Sequence, residues 1–150
     1  MRKIAEGKAE FAYRQLMTPL IVDDTAFSIK ALNGFPGPYA AYVLDTLGNA
    51  GILKLMEGAA DRSASFTTAI AFADAEIIKV FSGTINGTLT TAPRGKNGFG
   101  YDPIFALPDG RTLAELPIGE KSAISHRANA LSAFKDWFVD VYSGAGNKNG

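Results

Sequence analysis

The sequence predicts a mixed α/β chain, and three stretches carry that expectation. Residues 120–141 place Ile124, Ala128, Leu131, Phe134, Phe138 and Val141 along one helical stripe. Residues 64–73 follow a different period. Ala64, Phe66, Thr68, Ile70 and Phe72 alternate with Ser65, Thr67, Ala69, Ala71 and Ala73, which is the spacing of a strand. Leu20-Ile21-Val22 is a short, wholly apolar run of the kind that forms a buried strand. With 150 residues, 47% of them apolar, the chain suits one globular domain over residues 1–142.

Composition narrows the function classes. Lys plus Arg and Asp plus Glu number 15 each, so no global positive field draws in DNA or RNA. The chain has no cysteine, which removes disulfides, thiol nucleophiles and cysteine-bound zinc. No apolar run reaches membrane-spanning length and no signal-peptide core opens the chain, so a cytoplasmic protein without a membrane or nucleic-acid partner is expected.

Taken in order, residues 2–17 are rich in helix formers and end ahead of Thr18-Pro19, because a residue before proline avoids the helical region. The apolar run Leu20-Ile21-Val22 follows, and the adjacent acids Asp23 and Asp24 stand directly at its end. Carboxylates there are costly unless a cation or backbone amides hold them. The pair suits Mg²⁺, a hard ion that takes oxygen ligands; a solvated turn or helix cap is the other reading. Residues 33–39 hold two glycines and two prolines around Phe35 and make a loop of fixed shape. Short helices are expected over 39–46 and 50–56. The strand of 64–73 turns at Asp74-Ala75-Glu76 into a returning strand from Ile77 that extends towards Thr90, with Gly83 as a candidate bulge. Residues 107–110 turn, one helix is expected over 120–141, and the polar, Gly-rich residues 143–150 read as a disordered tail.

One loop concentrates the chemistry. Arg94 to Phe105 holds Gly95, Gly98 and Gly100 among Phe99, Tyr101, two cations and Asp102. Glycine permits close backbone approach, aromatic rings offer stacking faces, and Lys and Arg meet phosphate or carbonyl oxygens. The pattern fits a binding loop for a nucleotide and equally a Gly-rich hairpin. His126, the single histidine, lies beside Ser125 and Arg127 with Lys121 a turn and a half earlier. No nucleophile or orienting acid accompanies it, so recognition of a polar ligand edge suits it better than catalysis.

Four motifs in order, Val22-Asp23-Asp24-Thr25, Ala31-Leu32-Asn33-Gly34-Phe35-Pro36-Gly37-Pro38-Tyr39, Asn97-Gly98-Phe99-Gly100-Tyr101-Asp102-Pro103-Ile104-Phe105 and Glu120-Lys121 with Ser125-His126-Arg127, resemble the inosine triphosphate pyrophosphatases. The resemblance runs from Leu20 to Phe138. It implies an elongated, two-lobed α/β fold with a long mixed β-sheet flanked by helices, a homodimer, Mg²⁺, and hydrolysis of ITP, dITP or XTP to the monophosphate and pyrophosphate. It also implies that Asp24 is the general base and, with Asp23, a metal ligand, and that Thr25 touches substrate. Phe99, Gly100, Tyr101 and Asp102 would form the base pocket, and Lys121, His126 and Arg127 would read the purine edge. Two family features are not found in these 150 residues. The Ser/Thr-x-Asn-x-x-Lys loop that cradles the triphosphate does not occur, and Lys3 stands where a metal-binding Glu is expected, with Glu6 about one turn on. The alternative expectation is therefore a catalytically impaired nucleotide-binding or structural homologue, with altered self-association along an exposed sheet edge.

Overall fold

The computed structural model describes residues 2–17 and 19–143. Its elements are α1 (Arg2–Leu16), β1 (Leu20–Ile29), β2 (Pro36–Gly37), α2 (Ala40–Thr46), α3 (Gly48–Leu55), β3 (Ser63–Ala73), β4 (Ile78–Leu89), β5 (Phe105–Ala106), α4 (Ile118–Ile124) and α5 (His126–Trp137). The five strands form one sheet in the order β2-β1-β3-β4-β5. β2 pairs antiparallel with β1 through Phe27 and Ser28, and β5 pairs antiparallel with β4 through Thr88 and Leu89. By contact the chain divides into two compact units. Unit 1 holds the described residues of 2–24, 68–84 and 126–143, and unit 2 holds 25–67 and 85–125.

In unit 1 the strand period sorts β3 into two faces. Ala69, Ala71 and Ala73 lie against Ala5 and Ala9 of α1, all five inaccessible to solvent. Alanine on both sides lets the helix backbone approach the sheet closely. On the alternate positions Phe72 meets Phe134 and Trp137 of α5 at centroid separations of 6.0 and 5.5 Å, and Phe81 of β4 joins the same cluster. Each such ring pair adds about 0.5–1.5 kcal/mol beyond its area burial.

Unit 2 is built around Phe27, whose ring stacks on Phe66 at 4.7 Å and on Tyr101 at 4.4 Å. Phe105 packs edge-on against Phe66 at 4.8 Å. Ile29, Ile52, Met56, Ile104 and Leu116 fill the space around these rings and are fully buried. The segment before β3 is fastened by Arg62. Its guanidinium donates to the carbonyls of Met56, Leu89 and Thr90 at 2.6–3.0 Å, while the Leu89 amide donates back to the Arg62 carbonyl at 2.8 Å. Thr112 and Glu115 form a reciprocal capping box at the short 3₁₀ turn Leu113–Glu115. The Thr112 amide and the Arg94 cation hold the exposed Glu115 carboxyl below its ordinary pKa.

Two expectations are corrected. Asp23 and Asp24 do not end a strand, because β1 continues unbroken to Ile29. β-branched and aromatic residues after the acids, Thr25, Phe27 and Ile29, keep the chain extended. The single helix over 120–141 is two: Ser125 adopts extended backbone (φ −66°, ψ 154°) between α4 and α5, and residues Phe138–Ser143 widen into a π-helical turn. Gly83 lies inside β4, which runs on to Leu89. The expected disordered tail lies, from residue 144 on, outside the described residues.

Candidate active site

Unit 1 carries the acid pair. Successive residues of a strand point to opposite faces, so Asp23 and Asp24 of β1 are held apart and each takes a different cation. Lys8, two turns into α1, places its Nζ 2.9 Å from Asp24 Oδ1 and 3.3 Å from the Asp23 carbonyl. Arg127, in the first turn of α5, sits 3.1 Å from Asp23 Oδ2. The second oxygen of Asp24, Oδ2, is buried and has no hydrogen-bond partner among the described residues. A buried carboxylate oxygen left in that state costs about 1–3 kcal/mol or more. Beside the Asp23–Arg127 pair, a small cavity of about 180 Å³ is floored by Ile21, Val22, Ile70 and Leu131.

Unit 2 carries the glycine–aromatic loop. Gly98 has φ +77°, and a Cβ there would overlap the Asp102 carboxylate, so only glycine fits on both counts. Asp102 is 5% exposed. It accepts the Phe99 amide at 2.9 Å and pairs with the Lys121 ammonium of α4. Lys121 Nζ also stands 4.4 Å from the centroid of the Phe99 ring, a cation–π contact. The Phe99 ring is otherwise open, at 81% exposure. Tyr101 is the opposite case: its ring belongs to the core and its hydroxyl donates to the Ala40 carbonyl at 2.6 Å. Burial, helped by the Asp45 charge, pushes its pKa up to about 12. The Gly100 carbonyl accepts from Asn49 Nδ2 at 2.9 Å.

The predicted residues therefore fall into two sets. Asp23, Asp24, His126 and Arg127 belong to unit 1, and Thr25, Phe99, Gly100, Tyr101, Asp102 and Lys121 to unit 2. The break at Ser125 removes the helical phase that would have related Lys121 to His126. Thr25 and His126 are half-buried, at the start of the unit-2 part of β1 and at the first position of α5. The sequence reading did not single out Lys8 or Asn49. Lys8 lies in a helix full of charges and nothing local marks it; Asn49 is one polar residue in a short helix.

A sequence model of the Ham1 family matches residues 1–137. The chain belongs to the Ham1 family. Among its relatives, the dITP/XTP pyrophosphatase of Methanopyrus kandleri is 46% identical over 147 residues, which cover 96% of this chain and 78% of the relative. That of Saccharolobus solfataricus is 46% identical over 145 residues, covering 95% and 74%. The solved Ham1 protein of Coxiella burnetii superposes with a TM-score of 0.87 at 36% identity, covering 93% of this chain and 77% of that one. The Staphylococcus aureus Ham1 protein gives 0.86 at 35%, covering 91% and 74%. The resemblance read from the four motifs and the α/β fold it implied are both borne out in this Ham1-family chain.

Proposed function

We propose that the chain hydrolyses non-standard purine nucleoside triphosphates, ITP, dITP or XTP, to the monophosphate and pyrophosphate, with Mg²⁺ as its metal. The observation that carries this reading is Asp24. One of its oxygens is held by Lys8 at 2.9 Å and the other is buried without a hydrogen-bond partner among the described residues. A structural carboxylate has its lone pairs filled; one with an open acceptor can take a proton from an attacking water. The names of the archaeal relatives, dITP/XTP pyrophosphatases, support the substrate class.

The donor set fits Mg²⁺. Asp23 and Asp24 offer hard oxygens on opposite faces of β1, and this ion can use a single protein carboxylate, with water and substrate phosphate completing its shell. Among the described residues no three His, Asp or Glu side chains gather, so these two acids are the candidate ligands. When bound, the ion would supply charge neutralisation for the departing pyrophosphate. The remaining roles fall to side chains. Asp24 accepts the proton of the water that attacks the α-phosphorus, and Lys8 fixes its rotamer. Arg127 restrains Asp23. Thr25 offers a hydroxyl to substrate. The open Phe99 ring supplies a stacking face worth about 1–3 kcal/mol per base, and Tyr101 and Asp102 hold the loop while Gly100 leaves its backbone approachable. Donors from Lys121, His126 and Arg127 favour a carbonyl at purine C6 over the amino group of adenine.

Pyrophosphate release from ITP, dITP and XTP, compared with ATP and GTP in the presence of Mg²⁺, tests the reading. Equal rates on all five, or release of orthophosphate, would overturn it. Binding of ITP without pyrophosphate release would mark a nucleotide-binding homologue instead. A nucleotide-pool substrate goes with a cytoplasmic location; no helix among the described residues is long and apolar enough to cross a membrane. A homodimer is supported by Ile4, Phe11 and Leu16 of α1, apolar side chains 41%, 67% and 64% exposed.

A further inference from the structure

Gly83 lies in the middle of β4, is buried, and has an ordinary strand conformation. What it lacks is a side chain, and the space where a Cβ would stand is already filled. Such an atom would overlap the His126 carbonyl oxygen, lie 2.5 Å from the Ala130 backbone nitrogen and 2.6 Å from Asn129 Cβ. Two of these three neighbours are backbone, which no rotamer change can clear. The first turn of α5 therefore rests directly on the β4 backbone at this one residue, and Ala130, completely buried one turn beyond His126, fills the rest of the contact. His126 and Arg127 both leave the helix from that turn, and Arg127 reaches Asp23 from it at 3.1 Å.

We infer that Gly83 is a positioning residue: the missing side chain sets the height of the first turn of α5 over the sheet, and thereby where His126 and Arg127 present their donors. The consequence for base selection rests on the pyrophosphatase reading above; the geometric part does not. A rise of about 1 Å at a positioning element is enough to cost on the order of 10²-fold in a reaction that depends on it.

The test uses Gly83→Ala in the full chain, with Ala130→Val as an independent wedge under the same turn. Ala5→Gly serves as a control that loosens unit 1 through α1. His126 is the only histidine, so its imidazole proton resonances can be read without ambiguity. In whichever wedge variant is folded by circular dichroism, those resonances should move, and the ratio of kcat/KM for ITP over ATP should fall by about 10- to 10²-fold, mainly through KM for ITP. The control should lower the melting temperature and leave both readouts in place. Folded wedge variants with wild-type His126 resonances and an unchanged ratio would overturn the inference, as would an Ala5→Gly control that moves them equally. If the wild-type chain shows no preference for ITP, the pyrophosphatase reading fails by itself, and the His126 resonances still decide the role of Gly83.

Discussion

The acid pair of unit 1 and the aromatic loop of unit 2 hold their charges in opposite ways. Asp23 and Arg127 are paired at the surface, 46% and 58% exposed, and Lys8 is 52% exposed, although its partner Asp24 is only 21% exposed. Asp102 and Lys121 are paired inside, at 8% and 19%. Exposed pairs contribute about 0–1 kcal/mol, because water and salt screen them. A buried pair is held by its cost of separation, since removing one partner strands the other in a low dielectric. The lesson is a division of labour. The unit-2 pair fixes a loop shape and is structural first, whereas the cations of the unit-1 pairs are open to solvent and more easily displaced from their carboxylates.

The sharpest way to break that comparison is Asp24→Asn. The amide keeps the shape, removes the proton acceptor and weakens the metal pair, so turnover of ITP should fall by about 10²-fold or more, with little change in melting temperature. Equal activity would make Asp24 one more structural carboxylate, like Asp102. Next in size is the contrast between two lysines. Lys121→Met leaves the Asp102 charge buried and should cost about 3 kcal/mol, a fall of roughly 6–12 °C in melting temperature for a chain of this size. Lys8→Met, beside an Asp24 that is 21% exposed, should cost less than Lys121→Met while slowing turnover. Calorimetry and pyrophosphate release on both variants would show whether stability and activity separate in this way; equal melting shifts would dissolve the distinction.

The smallest effect lies in the alkaline range. Tyr101 has its pKa raised from 10.0 to about 12 by burial, with the Asp45 charge adding to it. A phenol that is harder to ionise when folded contributes stability in full below pH 10. That contribution is lost as pH rises from 10 towards 12, where the unfolded chain sheds the proton first. The loss should be about 2 kcal/mol, read as a falling midpoint in urea. Tyr101→Phe should flatten that slope, while giving up about 1 kcal/mol for the hydrogen bond to Ala40. An unchanged slope would mean that the phenol is less enclosed than its 5% exposure implies.

The same contrast explains what could be read from the sequence. The loop of unit 2 is local: Gly98, Phe99 and Asp102 lie within five residues, and the Asp102–Phe99 amide bond spans three. Its glycines and its acid were therefore visible as a unit. The partners of the acid pair are remote, with Lys8 sixteen positions from Asp24 and Arg127 on the far side of the whole sheet sequence. A lysine among the charges of α1 carries no local mark of its role. Periodicity gave β3 and its alanine face correctly, because alternation is a property of neighbours. It failed at Ser125, where a polar residue inside a helical stripe starts a new helix and the stripe itself continues across the break. A glycine in a strand has two common uses, a bulge and the close approach of a second backbone, and the second depends on where α5 lands, which no local pattern shows.

Arg62 has a consequence outside stability and chemistry. It lies in an irregular stretch between α3 and β3, the kind of place where proteases nick folded chains. A trypsin-like enzyme must draw an arginine side chain into its own specificity pocket before it can cut. The guanidinium of Arg62 is already bound to three carbonyls, so the residue is unreadable to such an enzyme while unit 2 stays folded. The chain thus carries a potential cleavage signal just ahead of β3 and holds its side chain with its own backbone, so the Arg62–Ser63 bond should be cut only after local unfolding.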